Sequence, residues 1–372
     1  MLRRFVFLFL LLSSVDSLAQ TPPNSFGGAV QSMNPDTSVN FLTLYRAAKR
    51  EGSTKTEPNG GLFLQEAELQ FMANVDPYLR AVALFSVHPT ETEPSTIGTG
   101  PIANLSEPQE KSYAIEPEEV YLETIAIPYV TLKAGRFHAD LGRHNSLHTH
   151  AYPFIDAPLI NQRLLGDEGV VENGLSASAL MPLPWFMEVS AQALQGDSPA
   201  LFASKSSTDF ATVYRVRNLW DLADSATLDF GLSAAAGANF YDERTNVEGA
   251  DLSIKWRPTQ GGKYRSVAFA AEYLQGNVRG RPLDSELSGY ATWVQIQLSE
   301  RWWVQARTEQ DESQDAGSKK HKKVSGLIGF YPSEFSGLRL QYDQLHDDED
   351  RPLNSFMVQG NITIGAHPAH SY

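Results

Sequence analysis

The sequence predicts an all-β protein: a transmembrane antiparallel β-barrel of about 16 strands, with short periplasmic turns and long external loops. Three observations predict it. Apolar and polar residues alternate with period two along most of the 372-residue chain. The alternating segments are joined by connections that are short and longer in turn. After the first stretch, no apolar run approaches the roughly 18 residues that a membrane helix needs.

Residues 1–19 are read apart from the fold. Arg3 and Arg4 form a basic start, Phe5 to Leu12 is an unbroken apolar run, and Ser17-Leu18-Ala19 supplies the small residues of a cleavage site. Together they predict a cleaved secretory signal. Its removal takes away Arg3, Arg4 and Asp16, so the charge passes from −14 to −15, with 28 basic and 43 acidic residues left. Residues 20–37 read as a short periplasmic segment and 38–372 as the barrel. The absence of cysteine excludes disulfides, thiolate metal sites and a thiol nucleophile. The net negative charge argues against a nucleic-acid partner.

The strands follow from the alternation. Ala67, Leu69, Phe71 and Ala73 interleave with Glu66, Glu68, Gln70 and Met72. Ala250, Leu252, Ile254 and Trp256 interleave with Asp251, Ser253, Lys255 and Arg257. Leu338, Leu340 and Tyr342 interleave with Arg339, Gln341 and Asp343, and Phe356, Val358, Ile362 and Ile364 with Met357, Gln359, Asn361 and Thr363. The pattern places strands near 38–49, 61–75, 78–88, 113–127, 129–142, 169–182, 185–196, 209–221, 226–242, 246–258, 263–277, 287–299, 301–312, 322–332, 336–347 and 354–366.

Turns such as Val75-Asp-Pro-Tyr78 and Ser299-Glu-Arg301 alternate with polar loops at 50–60, 89–112, 143–168, 197–208, 278–286, 313–321 and 348–353; 243–245 is a short exception. A soluble sandwich has no reason to keep its longer loops at one end, whereas an outer-membrane barrel does. Closure also pairs every backbone amide that lipid would leave unsatisfied. Tyr78, Tyr129, Trp185, Trp220, Trp302, Trp303 and Tyr331 sit near strand ends, where an interfacial girdle belongs.

The polar faces predict a water-filled lumen. Its candidate lining is Glu66, Glu68, Arg80, Arg136, Arg215, Arg217, Asp251, Lys255, Arg339 and Asp343, with Glu119, Glu123, Glu188, Asp229, Glu272, Glu309, Lys133, Arg257 and Arg307 beside them. Both signs are present, so the balance selects no ion.

The segment 138–150 carries four of the nine histidines. His138, Asp140, His144, His148 and His150 form a candidate site for zinc, copper or nickel, because His-x-His on an extended chain turns both rings to one side. The 143–168 loop is expected to fold inward as a constriction, bringing His144 and His138 toward the same ion, with Asp156 nearby. His367 and His370 form a separate pair, and 319–323 is a basic run expected at a loop tip or against lipopolysaccharide. The hydrolase motifs are absent, and Ser146 and Ser190 merely lie near histidine-bearing segments, so no enzyme is expected.

The runs at 61–71 and 75–78, Glu118-Glu-Val-Tyr-Leu-Glu123, Leu132-Lys-Ala-Gly-Arg-Phe137, Leu141-Gly-Arg-His-Asn145, His148-Thr-His150, Gly166-Asp-Glu-Gly169, Leu183-Pro-Trp185 and the closing Gly365-Ala-His-Pro-Ala-His370 carry a resemblance. They resemble bacterial outer-membrane proteins often described as zinc-regulated TonB-dependent receptors, and distantly the phosphate-selective porins. The resemblance implies a porin-like barrel in the bacterial outer membrane and a link to zinc supply, with no catalytic residues. A TonB-dependent transporter has 22 strands and a folded plug, so "porin-like channel" is the better expectation from this sequence. That expectation is a diffusion channel for small hydrophilic solutes or ions, in contact with bilayer and lipopolysaccharide, with a homotrimer by analogy and zinc as an optional ligand rather than a required cofactor. A metal-binding receptor that uses the barrel as an anchor is the alternative, and a lipid hydrolase a more distant one.

Overall fold

The computed structural model describes residues 35–57, 60–90, 112–206, 208–260, 264–280, 285–314 and 320–365. The expected signal 1–19, most of the periplasmic segment, residues 91–111 and the pair His367 and His370 lie outside the described residues.

Sixteen strands form one closed antiparallel barrel in sequence order. They are β1 (Asp36–Arg50), β2 (Gly61–Asn74), β3 (Leu79–Thr90), β4 (Ser112–Thr124), β5 (Val130–His138), β6 (Val171–Leu180), β7 (Phe186–Leu194) and β8 (Ala211–Ala223). The circle continues with β9 (Ala226–Ala238), β10 (Arg244–Trp256), β11 (Ser266–Val278), β12 (Ser285–Gln297), β13 (Trp302–Ser313), β14 (His321–Ser333), β15 (Ser336–His346) and β16 (Leu353–Gly365). β1 closes the ring: Phe41 faces Ala67 of β2 on one side and Ile362 of β16 on the other. Every one of the sixteen strands has a partner on both sides, which is what a lipid environment demands.

The alternation reads directly onto the two faces. Phe41, Tyr45, Phe269, Tyr273, Ile328, Leu340, Tyr342 and Phe356 are exposed on the outside, while their strand neighbours Asn40, Leu44, Ala270, Glu272, Leu327, Arg339, Gln341 and Ser355 are buried on the inside. The short turns are tight by local chemistry. In the β2–β3 turn, the Asp76 carboxylate accepts from the amides of Tyr78 at 2.7 Å and Leu79 at 2.8 Å. The brief β9–β10 connection is built similarly, with Asn239 Oδ1 accepting from Tyr241 N at 2.9 Å and Glu243 N at 3.3 Å.

β-Bulges in β2 and β4 break the alternation there. In β2, Leu42 pairs with Glu66 but Thr43 with Leu64, so Gln65 is the extra residue. In β4, Leu84 pairs with Glu119 but Phe85 with Pro117, so Glu118 is extra.

The segment between β5 and β6, with its short helix α1 (Leu159–Leu165), lies inside the barrel. Gly142 N donates to Ser233 Oγ on β9 at 3.0 Å, His144 N to Glu272 on β11 at 3.0 Å, Leu159 N to Glu309 on β13 at 2.6 Å, and Ile155 N to Gln341 on β15 at 2.8 Å. Only an interior position reaches such widely separated strands. Gly142 makes its crossing at φ +71°, and a side chain there would run into the Glu272 carboxylate.

The wall beneath this segment is apolar where the segment seats. Leu141, Ile160, Leu164 and Leu165 pack with Phe137, Phe202, Val213, Val247 and Leu274, while Phe154 and Ile155 pack with Leu44, Trp293, Leu327 and Met357. The expectation of a uniformly hydrated lumen is therefore corrected. Gln341 is 1% exposed and Asp251 2%, because the inward loop covers them. Near the short turns the interior is more open, and Lys255 is exposed there.

Candidate metal and solute site in the lumen

The inward loop meets the wall through charged groups on two opposed sides. Against β2, β4 and β5 it presents His148 and His150. His148 Nδ1 lies 3.0 Å from Glu118 Oε1 and 3.8 Å from Glu68 Oε2, and its Nε2 lies 3.3 Å from Glu119 Oε2. His150 Nδ1 lies 3.1 Å from Glu68 Oε2. His138, at the end of β5, places Nε2 3.5 Å from Glu118 Oε1, and its backbone amide donates to Glu119 at 3.0 Å. The rings of His138 and His148 meet edge to face with centroids 5.2 Å apart, and those of His148 and His150 stack at 5.9 Å.

Two triads therefore form side by side: Glu118, His138 and His148, and Glu66, Glu68 and His150, each with donor atoms within 4.8 Å of one another. The Glu118 bulge is what makes this possible. It lets two consecutive carboxylates of one strand serve the same interior patch, where regular alternation sends only one inward. Burial opposes a charge on His148, but the carboxylates of Glu118 and Glu119 outweigh it and raise the imidazole well above its usual value. A proton and a cation thus answer the same electrostatic demand at this position. A third, more open triad, His88 with Glu116 and Glu168, lies on the same side of the barrel at 3.7–3.9 Å.

Against β13–β15 the loop is held by Asp156. Its carboxylate pairs with Arg307 Nη2 at 2.7 Å and with Lys323 Nζ, and accepts from Gln341 Nε2 at 2.6 Å. Burial alone would raise this carboxyl; Arg307 and Lys323 instead hold it well below the usual carboxylate range. Arg339 Nη1 donates to Tyr152 O at 2.6 Å, and Arg163 of α1 pairs with Asp311.

Two expected ligands, Asp140 and His144, are therefore elsewhere, as is the nearby Asp156, because the loop turns twice between them. Asp140 accepts from Ser190 Oγ at 2.7 Å. His144 sits against Tyr152 with centroids 4.3 Å apart, and burial, with the nearby Arg307 charge, pushes its imidazole down to about 3. Asp156 serves the opposite wall.

Of the expected lumen lining, Glu66, Glu68, Asp251, Arg339 and Asp343 are inward and buried. Arg215 pairs with Asp251 at 2.7 Å, Arg217 with Asp229 at 2.7 Å, and Arg80 Nε donates to Glu123 at 2.7 Å. Arg136 departs from the set. It faces Val120 across the β4–β5 pair, on the side of the exposed Leu132, and its Nε donates to Pro117 O at 2.9 Å. The basic run is corrected too: His321 to Lys323 belong to β14, and Lys323 points inward to Asp156.

Sequence reasoning missed Glu118. The signals were present in Glu116-Pro-Glu-Glu119, since consecutive charges beside a proline break a two-residue period. The serines offer no nucleophile geometry: Ser190 donates to Asp140, and Ser146 to Arg143 O.

A closed sixteen-strand antiparallel barrel with an inward loop is the architecture of outer-membrane barrels. No family profile matches the chain. Over 357 residues the chain is 28% identical to an uncharacterized protein of Aquifex aeolicus (strain VF5), covering 84% of this chain and 70% of that protein. Among solved structures it is similar to OprB of Pseudomonas putida, with TM-score 0.65 and 7% identity over 90% of this chain and 96% of that one. It is also similar to the outer membrane channel DcaP of Acinetobacter baumannii, with TM-score 0.56 and 11% identity over 89% and 96%. The trimer form of the outer membrane protein OmpT of Vibrio cholerae aligns with TM-score 0.53 and 8% identity over 89% and 100%. At these identities the likeness is one of fold. Nothing among these matches supports the TonB-dependent receptor name, and sixteen strands close a barrel where such receptors have 22.

Proposed function

We propose that the protein is an outer-membrane channel for small hydrophilic solutes or ions, transition-metal cations among them, exported by its first 19 residues. The observation that carries this reading is the inward loop. An apolar outer face suits lipid, and a charged interior narrowed by one internal segment is how a channel sets what it passes. The Arg217–Asp229 pair at 2.7 Å and the exposed Lys255 stand on the inner wall toward the short turns, so a hydrated solute there meets fixed charge of both signs. The bilayer and lipopolysaccharide are its surroundings. A homotrimer is the assembly we favour, and the trimer form of the similar OmpT supports it by analogy.

The test is single-channel conductance of the purified protein in planar bilayers. Discrete open steps are expected, and their absence would sink the channel reading. A second reading, a metal-binding receptor anchored by its barrel, is favoured by how completely the loop covers Gln341, Asp251 and Glu272. That reading expects zinc binding without current.

A further inference from the structure

We propose that Glu118, His138 and His148 on one side, and Glu66, Glu68 and His150 on the other, form two adjacent sites for divalent first-row transition cations of the zinc class, which staple the inward loop to the wall. This deepens the channel reading by naming a ligand class inside the lumen, and it rests on that reading only for the cation's route.

Donor spacing is the first reason. Four ligands at about 2.0–2.1 Å around a tetrahedral ion stand roughly 3.3–3.4 Å apart. Glu118 Oε1 lies 3.0 Å from His148 Nδ1 and 3.5 Å from His138 Nε2, so the spacing brackets that value. His150 Nδ1 and Glu68 Oε2, at 3.1 Å, approach it in the neighbouring triad.

Unspent hydrogen-bonding capacity is the second. His138 Nδ1, with Glu66 Oε1 and Glu118 Oε2, is buried and has no hydrogen-bond partner among the described residues, and His138 Nε2 has only the 3.5 Å approach of Glu118 Oε1. Buried polar atoms of this kind call for an occupant. Two of these side chains belong to residues only 7% and 8% exposed, His138 and Glu66, and both triads gather around them.

Charge is the third. Glu66, Glu68, Glu118 and Glu119 bring four carboxyl groups against three imidazoles, so with neutral rings the cluster is negative. Imidazole with carboxylate is the donor set of zinc-class ions rather than of calcium or magnesium. His148 and His150 come from the loop, while the other four ligands come from β2, β4 and β5. Each ion would therefore bridge loop and wall.

The experiment is zinc titration calorimetry on the full-length folded barrel in detergent after chelator treatment, with cobalt absorption as a second readout of nitrogen–oxygen coordination. Wild type is expected to bind two zinc ions per chain, His138→Ala and His150→Ala one each, and the double variant none. His144→Ala should keep both ions, because that ring is packed against Tyr152. Heat-modifiable gel migration reports folding of every variant, and the near-isosteric Glu118→Gln replaces His138→Ala if that one fails to fold. No zinc binding, a stoichiometry unchanged in the double variant, or both ions lost or both kept in either single variant would each overturn the paired site. A protein that binds two zinc ions yet passes no current would leave this proposal standing and sink the channel.

Discussion

Which side of the wall a side chain occupies decides what it tolerates. Leu340 is 39% exposed on the outer face, whereas Gln341 is 1% exposed beneath the loop. An arginine at position 340 meets hydrocarbon, at a cost of about 2–4 kcal/mol at mid-depth. Read from sequence, Gln341→Arg should be harmless in a hydrated lumen. The structure reverses that, because Gln341 accepts from Ile155 N at 2.8 Å and donates to Asp156 at 2.6 Å and to Asp343 at 2.9 Å. Both Leu340→Arg and Gln341→Arg are therefore expected to impair assembly, and Lys255→Gln, in the open part of the interior, to be silent. Heat-modifiable migration checks all three. Normal folding of Gln341→Arg would show that the loop does not seat on β15.

The inward loop is held at both ends of its span, and its pins can be drawn singly. Arg307 is 3% exposed and joins Asp156 at 2.7 Å to Glu309 at 2.7 Å. Arg307→Ala leaves Asp156 and Glu309 to share Lys323 as their one remaining cation, at a cost below the roughly 3–5 kcal/mol of a fully stranded buried charge. We expect a lower unfolding temperature and a larger, noisier conductance as the loop detaches from β13–β15. Unchanged conductance would mean the loop does not limit the path.

A second latch ties the long-loop end of β1 to the segment after β15. Arg50 grips Asp347 through two bonds of 3.0 and 2.7 Å and reaches Glu349 at 2.8 Å. Partial burial would raise the Asp347 carboxyl, but the Arg50 guanidinium beside it lowers it overall. A carboxyl lowered by folding contributes stability above its unfolded value, near pH 3.9, and loses that contribution as the pH falls through the lowered value. Limited proteolysis within 348–353 should therefore be slow at neutral pH and fast in strong acid. Asp347→Asn should be cut quickly at either pH.

Across the barrel, the alternation of connections sets an orientation. Arg50, Gly61, Ser313, His321 and the segment 348–353 belong to one end, and the turns at 75–78, 298–301 and 334–335 to the other. With the longer loops outside, an epitope inserted at 348–353 should be labelled on intact cells, and one inserted after Glu334 only on permeabilised cells. The opposite pattern would invert the topology.

Strand number, faces and connections were legible in the sequence because each depends on neighbours two residues apart, and lipid on one side enforces that period strictly. Leu338, Leu340 and Tyr342 against Arg339, Gln341 and Asp343 needed nothing more. The histidine segment was legible as a concentration of imidazole, and the inward course of its loop as an expectation. Which of its residues meet was not legible. His148 and His150 find carboxylates on β2 and β4, while Asp140, His144 and Asp156 find Ser190, Tyr152 and Arg307. Apart from Tyr152, which lies in the same loop as His144, those partners lie far away in sequence, and closing the barrel is what brings them together. Glu118 entered only because a bulge shifts the parity of β4, and Arg136 left because pairing with β4 sets it on the outer face. The apolar inner wall at Leu44, Trp293 and Met357 followed from the same cause: a loop folded into the lumen gives inward residues a dry partner that no local pattern announces.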